Sequence, residues 1–365
     1  MIPGCQIERV IVQTILRIPA TANPPYYATQ REAYEFYTSH FDLTADEQTL
    51  YRKLLIDGPI QGRYFGLACA EEACETNPDR LNERFVKYAR QTGAAAARAA
   101  MTEAGLAPHD LGGVVVNTCT GYVCPGLSSY LVEDLDLPSS VKTLDIAGMG
   151  CGGALPNIDT ASALMAAHGG RPWLSLAVEA CSATLFMGSD PALIVSNSIF
   201  GDGAAAVILQ NEATVPRTPG LMRILGSTSS IHPRYREQLR YRQEGGRLRN
   251  VLTTRVPVIG AKLAGEALTA LLAQHQITRQ DISWWAVHAG GTAVLDQVGR
   301  DLGLDARALQ YSLNVFRTYG NMSSPSVLFA LKQIIEQGQP KPGDRGVLLS
   351  FGAGFSAFAL LVEFL

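Results

Sequence analysis

Residues 95–121 read AAARAAMTEAGLAPHDLGGVVVNTCTG, and residues 264–291 repeat the pattern as AGEALTALLAQHQITRQDISWWAVHAGG. Each copy holds an alanine- and leucine-rich helical stretch, a polar turn ending in Asp110 or Asp281, an apolar strand and a glycine-bearing loop. The two aspartates lie 171 positions apart. The units that follow match in the same order, YLVEDLDLPSSVKTLDIAGMGCGGALPNIDTASALMA (130–166) with DQVGRDLGLDARALQYSLNVFRTYGNMSSPSVLFALKQI (296–334). Each half then closes on Phe-Gly-x-Gly and an apolar strand, SIFGDGAAAVIL (198–209) and LLSFGAGFSAFALLVEFL (348–365). Such internal repetition is read before any single element. Alternation of β and α in two similar halves predicts a duplicated α/β fold whose parallel strands are buried on both faces.

The first half spans 1–210 and the second 221–365, joined through QNEATVPRTPG at 210–220. Residues 25–93 have no counterpart in the second half, are rich in tyrosine, phenylalanine and charge, and predict mostly helical additions over the core. With 47% hydrophobic and 17% charged residues, the chain of 365 residues reads as a well-packed enzyme rather than a disordered or fibrous protein. A net charge of −3 leaves no basic footprint for nucleic acid. Glu8, Arg9 and Arg17 interrupt the first twenty residues, so no secretory signal is expected, nor is a membrane span. The seven cysteines then read as reduced, cytoplasmic thiols, and Cys119 and Cys124 lack the spacing and the histidine of a structural metal site.

Between the extended run at 141–146 and a helical pattern at 154–168 stands GMGCGG (148–153), one cysteine among four glycines. Three readings compete there. Gly148-x-Gly150-x-x-Gly153 satisfies a dinucleotide fingerprint, but His168, Arg171 and Trp173 occupy the place where the ribose carboxylate belongs. A hydrolase elbow needs glycine at 149, which is Met149. The third reading is a thiolate at a helix N-terminus, where the helix dipole and a neighbouring imidazolium draw the thiol below its free value of about 8.5. Cys5, Cys69, Cys74 and Cys181 are expected to be inert buried thiols. The duplication sets Asn321 opposite Cys151, and His288, ending the strand WWAVH, opens on the same crevice at the carboxyl ends of the strands. Taken alone, His288 is also readable as a satisfied core histidine, and Asn321 as a helix cap.

In GMGCGGAL (148–155), SIFGDGAAAVIL (198–209), HAGGTAVLDQV (288–298), YGNMSSPSVLFAL (319–331) and SFGAGF (350–355) the chain resembles the type III polyketide synthases, the chalcone-synthase-like branch of the thiolase superfamily. The similarity runs from about residue 90 to the end and more loosely before it. It implies the thiolase-like five-layered α-β-α-β-α fold, a homodimer, and acyl-CoA and malonyl-CoA as substrates, with no cofactor beyond these coenzyme A thioesters. By the same resemblance Cys151 accepts the acyl group, His288 and Asn321 polarise the malonyl thioester for decarboxylation, and Phe200 is an aromatic gatekeeper. Thr120, Ser182 and Leu185 fall where the family lines its cavity, with Cys119 as a further cavity residue. Cys124, before Pro125, matches the position that reaches into the partner's cavity, where a cis peptide fits. Arg52, Lys53 and Arg63 align loosely with the phosphate-binding region. The family's glycine-phenylalanine-glycine-proline-glycine ending is here Ser350-Phe351-Gly352-Ala353-Gly354, so Ala353 and Gly354 reshape the cavity floor, and the amides of Cys151 and Ala353 form the expected oxyanion hole. That ending also fits two other readings: a single-round ketoacyl synthase III-like enzyme, with an acyl carrier protein as donor, or an acyltransferase. A non-catalytic partner subunit is the remaining alternative.

Overall fold

Asp110 and Asp281 do the same work in the two halves. Asp110 Oδ2 accepts the Ala107 amide at 2.8 Å, and Asp281 Oδ2 accepts the Thr278 amide at 2.7 Å. Each closes a single 3₁₀ turn, Pro108–Asp110 or Arg279–Asp281, between a long helix and a buried strand. The computed structural model describes residues 13–365, so Cys5 lies outside the described residues.

The described chain opens with β1 (Thr14–Leu16), β2 (Ala20–Ala22), β3 (Tyr26–Thr29), α1 (Gln30–His40), α2 (Ala45–Leu55) and β4 (Gly62–Phe65). The first half continues through α3 (Pro78–Glu103), β5 (Gly113–Thr118), α4 (Leu127–Asp134), β6 (Lys142–Ala147), α5 (Ala154–Ala167), β7 (Trp173–Glu179), α6 (Pro191–Ile199) and β8 (Gly203–Asn211). After β9 (Met222–Ile231) and the hairpin β10 (Leu239–Glu244) and β11 (Arg247–Leu252) comes the second half. It runs α7 (Val256–Gln274), β12 (Trp284–Val287), α8 (Thr292–Leu302), α9 (Gln310–Tyr319), α10 (Ser326–Gln333), β13 (Arg345–Gly352) and β14 (Ser356–Phe364).

The added region is less helical than its composition implies. Its β3 and β4, separated in the chain by α1 and α2, pair antiparallel with Tyr26 opposite Phe65, and α3, starting at Pro78, already belongs to the core. Asn77 fixes that start, its side-chain oxygen accepting the Asp79 amide at 2.9 Å while Pro78 occupies the first turn.

In the sheet, β5 runs parallel to both β6 and β7, and β12 parallel to β13. The strands that close the halves are antiparallel, β8 to β7 and β14 to β13, against the all-parallel expectation. Residues 353–355, too few for a crossover, join β13 to β14, and a link that short forces antiparallel pairing. β1 pairs with both β8 and β9, which makes the two halves one continuous sheet in the order β12-β13-β14-β9-β1-β8-β7-β5-β6.

Three apolar cores separate the layers. One joins α3 and α4 to the first half-sheet, one joins α7 and α8 to the second, and the central core holds α5 and α10 between them. This is the five-layered α-β-α-β-α arrangement of the thiolase fold, with duplicated halves. The duplication breaks at α9, which stands where β6 stands in the first half. Leu309, Ser312, Val315 and Phe316 are buried there at helical spacing, and no strand could hide them on one face. α7 is by length and composition apolar enough to cross a membrane, unlike anything expected from the sequence. Here it is a core helix, with Leu263, Ala264, Ala267 and Leu271 packed over the second half-sheet.

Asn157 ties the central layer to the sheet. Its amide donates to the carbonyls of Val115 (3.2 Å) and Leu176 (2.9 Å) and to Asn117 Oδ1 (2.8 Å), while its oxygen accepts from Ser175 at 2.7 Å. Replacing Asn157 with leucine orphans these buried groups, so urea unfolding should show a loss of about 2–4 kcal/mol.

Candidate active site

Cys151 sits in a 3₁₀ turn, Gly150–Gly152, that leads directly into α5. The glycines around it answer to close backbone packing. A Cβ on Gly150, whose φ is +56°, would lie 2.8 Å from the Ala353 nitrogen, and one on Gly352 would lie 3.0 Å from the Cys151 nitrogen. The terminal loop therefore presses its amides against the cysteine turn. Ser350 Oγ secures the contact by donating to the Gly152 carbonyl at 3.1 Å.

Three distant segments converge on this turn. Ser323 Oγ donates to Cys151 Sγ at 3.3 Å, and the Ser323 amide donates to Asn321 Oδ1 at 2.8 Å. Asn321 Nδ2 donates to the Gly290 carbonyl at 3.2 Å, and Gly290 lies against His288 Nε2, 3.1 Å from where its Cβ would be. Asn321 is thus not merely a helix cap: its amide bridges the cysteine turn and the histidine loop. Its backbone forms a parallel bridge with Phe200, with the Gly201 amide bonded to the Asn321 carbonyl at 3.0 Å and the Asn321 amide to the Ile199 carbonyl at 2.8 Å. Phe200, Cys151 and Cys181 form one apolar cluster. Phe200 and Cys151 each keep 9% of their surface exposed, whereas His288 and Asn321 lie deeper.

Burial dominates the electrostatics. It pushes the Cys151 thiol up to about 12; the Ser323 hydroxyl pulls the other way, and the nearby Glu179 adds to the rise. The helix end expected to lower this thiol does not outweigh desolvation. Burial alone lowers His288 to about 4, and its Nδ1 has no hydrogen-bond partner, so by itself the ring is neutral at neutral pH. Each group resists charging alone. A thiolate and an imidazolium formed together compensate one another, which is the only arrangement a buried charge tolerates well.

Behind the reactive groups stands Glu179, a buried carboxylate that the sequence reading overlooked. It accepts from the Cys119 amide (3.0 Å), Thr120 Oγ1 (2.9 Å), Thr118 Oγ1 (3.2 Å) and Ser324 Oγ (2.7 Å). Ser324 in turn accepts from Asn117 at 2.8 Å, and Ser323, held at φ +59°, stands between Glu179 and the cysteine. Burial raises the carboxyl of Glu179 while these donors lower it. The signal was legible: WLSLAVEAC places one acid in a strand otherwise apolar on both faces, and such an acid must be hydrogen-bonded. Tyr241 of β10 was also overlooked. Its hydroxyl lies 3.3 Å from Thr184 Oγ1, and burial of that group, with the nearby Cys181 and Cys119, raises its pKa.

The expected cavity residues divide. Cys119 lies at the site, with Sγ 3.4 Å from Ser323 Oγ. Thr120 spends its hydroxyl on Glu179 and on the Ala180 amide (2.9 Å), and lines a separate cavity of about 370 Å³ near the tip of the β10–β11 hairpin. Ser182 is sequestered, bonded through Oγ (2.5 Å) and its amide (2.8 Å) to the buried Asp202. Leu185 lines a different cavity beside α1, and its neighbour Thr184 faces Tyr241 instead. Cys124 is exposed, before a cis bond to Pro125, and Gly354 lies in the turn beside Ala353. Cys181 is buried, but at the site, and Cys69 and Cys74 are exposed rather than buried, because each sits at a short polar turn outside the sheets. Arg63 is wholly buried and cannot meet a coenzyme phosphate at the surface; Arg52 and Lys53 are exposed at the end of α2.

A thiol linked through Ser323 to the Asn321 amide, and through that amide to the loop carrying His288, with backbone amides pressed against its turn, is equipped for covalent acyl transfer and for polarising a thioester carbonyl. Comparison with known proteins agrees. Residues 45–226 match the family model described as FAE1/Type III polyketide synthase-like protein, and residues 272–364 match the 3-oxoacyl-acyl-carrier-protein synthase III C terminal model. The chain is 34% identical over 287 residues to a 3,5-dihydroxyphenylacetyl-CoA synthase of Streptomyces toyocaensis, covering 78% of this chain and 74% of that one. The crystal structure of PKS-I from the brown alga Ectocarpus siliculosus superposes with a TM-score of 0.89 at 26% identity, over 97% of this chain and 99% of that one. The 1,3,6,8-tetrahydroxynaphthalene synthase of Streptomyces coelicolor gives 0.87 at 26% identity, over 96% and 99%.

If the thiolate forms only as a pair with His288, that residue governs its reactivity. In a His288→Gln variant, iodoacetamide labelling of Cys151, followed on its peptide by mass spectrometry, should fall at least about tenfold at pH 7. Labelling should then climb about tenfold per pH unit towards pH 10, as for a lone thiol titrating near 12, while the unsubstituted protein shows a flatter profile.

Proposed function

The chain belongs to the type III polyketide synthases, acyltransferases that load a CoA-linked starter and extend it by decarboxylative condensation with malonyl-CoA, and we propose from this how its own residues act. Cys151 passes its proton to His288, and the thiolate attacks the acyl-CoA carbonyl. The oxyanion rests on the amides of Cys151 and Ala353. When the tetrahedral adduct collapses, coenzyme A leaves as a thiolate. The buried imidazolium, its counter-charge consumed, gives that leaving group its proton.

Malonyl-CoA then binds with its thioester oxygen between the imidazole and the Asn321 amide. Loss of carbon dioxide sends the bonding pair into the carbonyl, and the resulting enolate is held by these two donors. Asparagine cannot titrate, so it donates at any working pH. The enolate carbon attacks the acyl group on Cys151, the carbon–sulfur bond breaks, and one proton from solvent restores the thiol–imidazole pair. Coenzyme A thioesters serve as substrates and no further cofactor takes part. Phe200, bridged to Asn321, borders the incoming thioester. The observation that carries this reading is the contact chain Cys151–Ser323–Asn321–Gly290–His288.

With malonyl-CoA, Cys151→Ala should release carbon dioxide and accumulate acetyl-CoA but form no condensation product. Asn321→Ala should lower decarboxylation itself by about 10²–10³-fold. An unmodified Cys151 peptide during turnover of the intact enzyme would refute the assignment.

We also propose a homodimer formed at the edge of β6. That strand ends the sheet and is largely exposed, with Leu144 at 40% and nearby Tyr122 at 51%, close to Cys124. Light scattering should give twice the chain mass for the intact protein and one chain mass for Leu144→Glu. The six described cysteines are free thiols, which supports a reducing, cytoplasmic setting.

A further inference from the structure

The segment from Ile231 to Arg255 holds seven arginines against two glutamates, in a chain whose net charge is −3. It opens with a 3₁₀ turn, Pro233–Gln238, pinned beside α7 at both ends. At one end His232 Nε2 lies 2.8 Å from Glu266 Oε2. At the other, the amide of Thr253, just ahead of α7, donates to the Gln238 carbonyl at 3.0 Å. The turn therefore flanks the row Val258, Lys262 and Glu266, spaced four residues apart along one side of the helix. Arg234, Arg236, Arg255 and Lys262 are all exposed on this surface, and Val258 keeps 57% of its area exposed among them.

The two acids of these stretches are engaged, Glu266 with His232 and Glu237 with Arg240 at 3.0 Å. None of the four cations forms an ion pair among the described residues. Farther along the hairpin Arg242 and Arg249 are held by Glu244, so the unneutralised charge collects beside α7. On the buried side of that helix, a Cβ on Gly260 would lie 2.9 Å from the Phe351 ring, which stands edge-on to His288 with centroids 5.6 Å apart. One helix thickness, about 10 Å, thus separates the cationic surface from the ring against His288.

Free cations gathered around one apolar residue attract an acidic partner. The negative charge of the chain as a whole opposes an extended polyanion such as nucleic acid or an anionic membrane, but not a compact acidic protein that touches only this surface. We propose that the α7 face docks an acyl carrier protein, a small acidic helical domain whose phosphopantetheine arm carries the same thioester as coenzyme A. The inference rests on the condensing reading above and adds a second donor to it. The transfer step is unchanged: the Cys151 thiolate attacks the acyl carbonyl, and the phosphopantetheine sulfur of the carrier leaves as the thiolate and takes the imidazolium proton.

Arg234→Glu combined with Lys262→Glu reverses the surface and alters no group assigned to catalysis. With a malonylated carrier protein from a bacterial fatty acid synthase as donor, this pair should raise KM roughly tenfold or more and leave kcat within about twofold, while both constants for malonyl-CoA hold. Arg236→Gln combined with Arg255→Gln, a milder change, should give the same split to a smaller degree. Unchanged use of malonyl-CoA shows that a variant has folded. Fluorescence anisotropy of the carrier protein without its acyl group reads docking apart from chemistry, and its affinity should fall roughly tenfold in the reversed pair. If malonyl-CoA itself is not condensed, the condensing reading fails and the anisotropy still decides the docking. No binding of the carrier by the intact enzyme, unchanged affinity in the reversed pair, or equal losses with both donors in both pairs would overturn the proposal.

Discussion

A buried carboxyl group dictates the architecture around the candidate nucleophile Cys151. Glu179 ends a strand with no exposed residue, so every lone pair it carries must be met by the protein. The donors come from the end of β5 and from Ser323 and Ser324, one set from each half of the duplication. Satisfying that acid brings the two halves together at this point. The serine that touches the sulfur and the asparagine beside it are placed as a by-product of that requirement. Polar burial of this kind specifies a unique arrangement more than it adds stability.

The same low-dielectric setting explains the chemistry available. Neither the sulfur nor the imidazole tolerates charge alone, so charge appears there only in matched pairs or on a bound substrate. In the proposed reaction, an enolate forming between His288 and Asn321 would meet an amide already oriented by Gly290 and Ser323, with little solvent to reorganise. Burial that favours the protonated thiol also strengthens each contact once the substrate carries the charge.

Much of this was readable in the letters. The repeated helix–turn–strand unit foretold two halves, down to Asp110 and Asp281 closing equivalent turns, and it set the Asn321 loop against the Cys151 turn. Strand direction was not readable, because apolar runs such as AAAVIL look alike in parallel and antiparallel sheets; the short turn at 353–355 decided it. α9 escaped because its halfway-spaced apolar residues were aligned to β6 by position rather than by period. Ser182 and Leu185 were misplaced for a simpler reason. Around the tight turn at 181–184 each successive side chain faces a different way, so Cys181 packs with Cys151 and Thr184 reaches Tyr241 while Ser182 turns to Asp202 and Leu185 to a cavity beside α1.

The parallel bridge between Phe200 and Asn321 ties a residue of the first half to one of the second through main-chain bonds. In the roles proposed for them, an aromatic gate and a carbonyl-polarising amide would share that backbone ladder and travel as one rigid piece. A substitution that widened or narrowed the entrance at Phe200 would thereby also retune the angle at which Asn321 grasps a thioester, coupling selectivity to turnover.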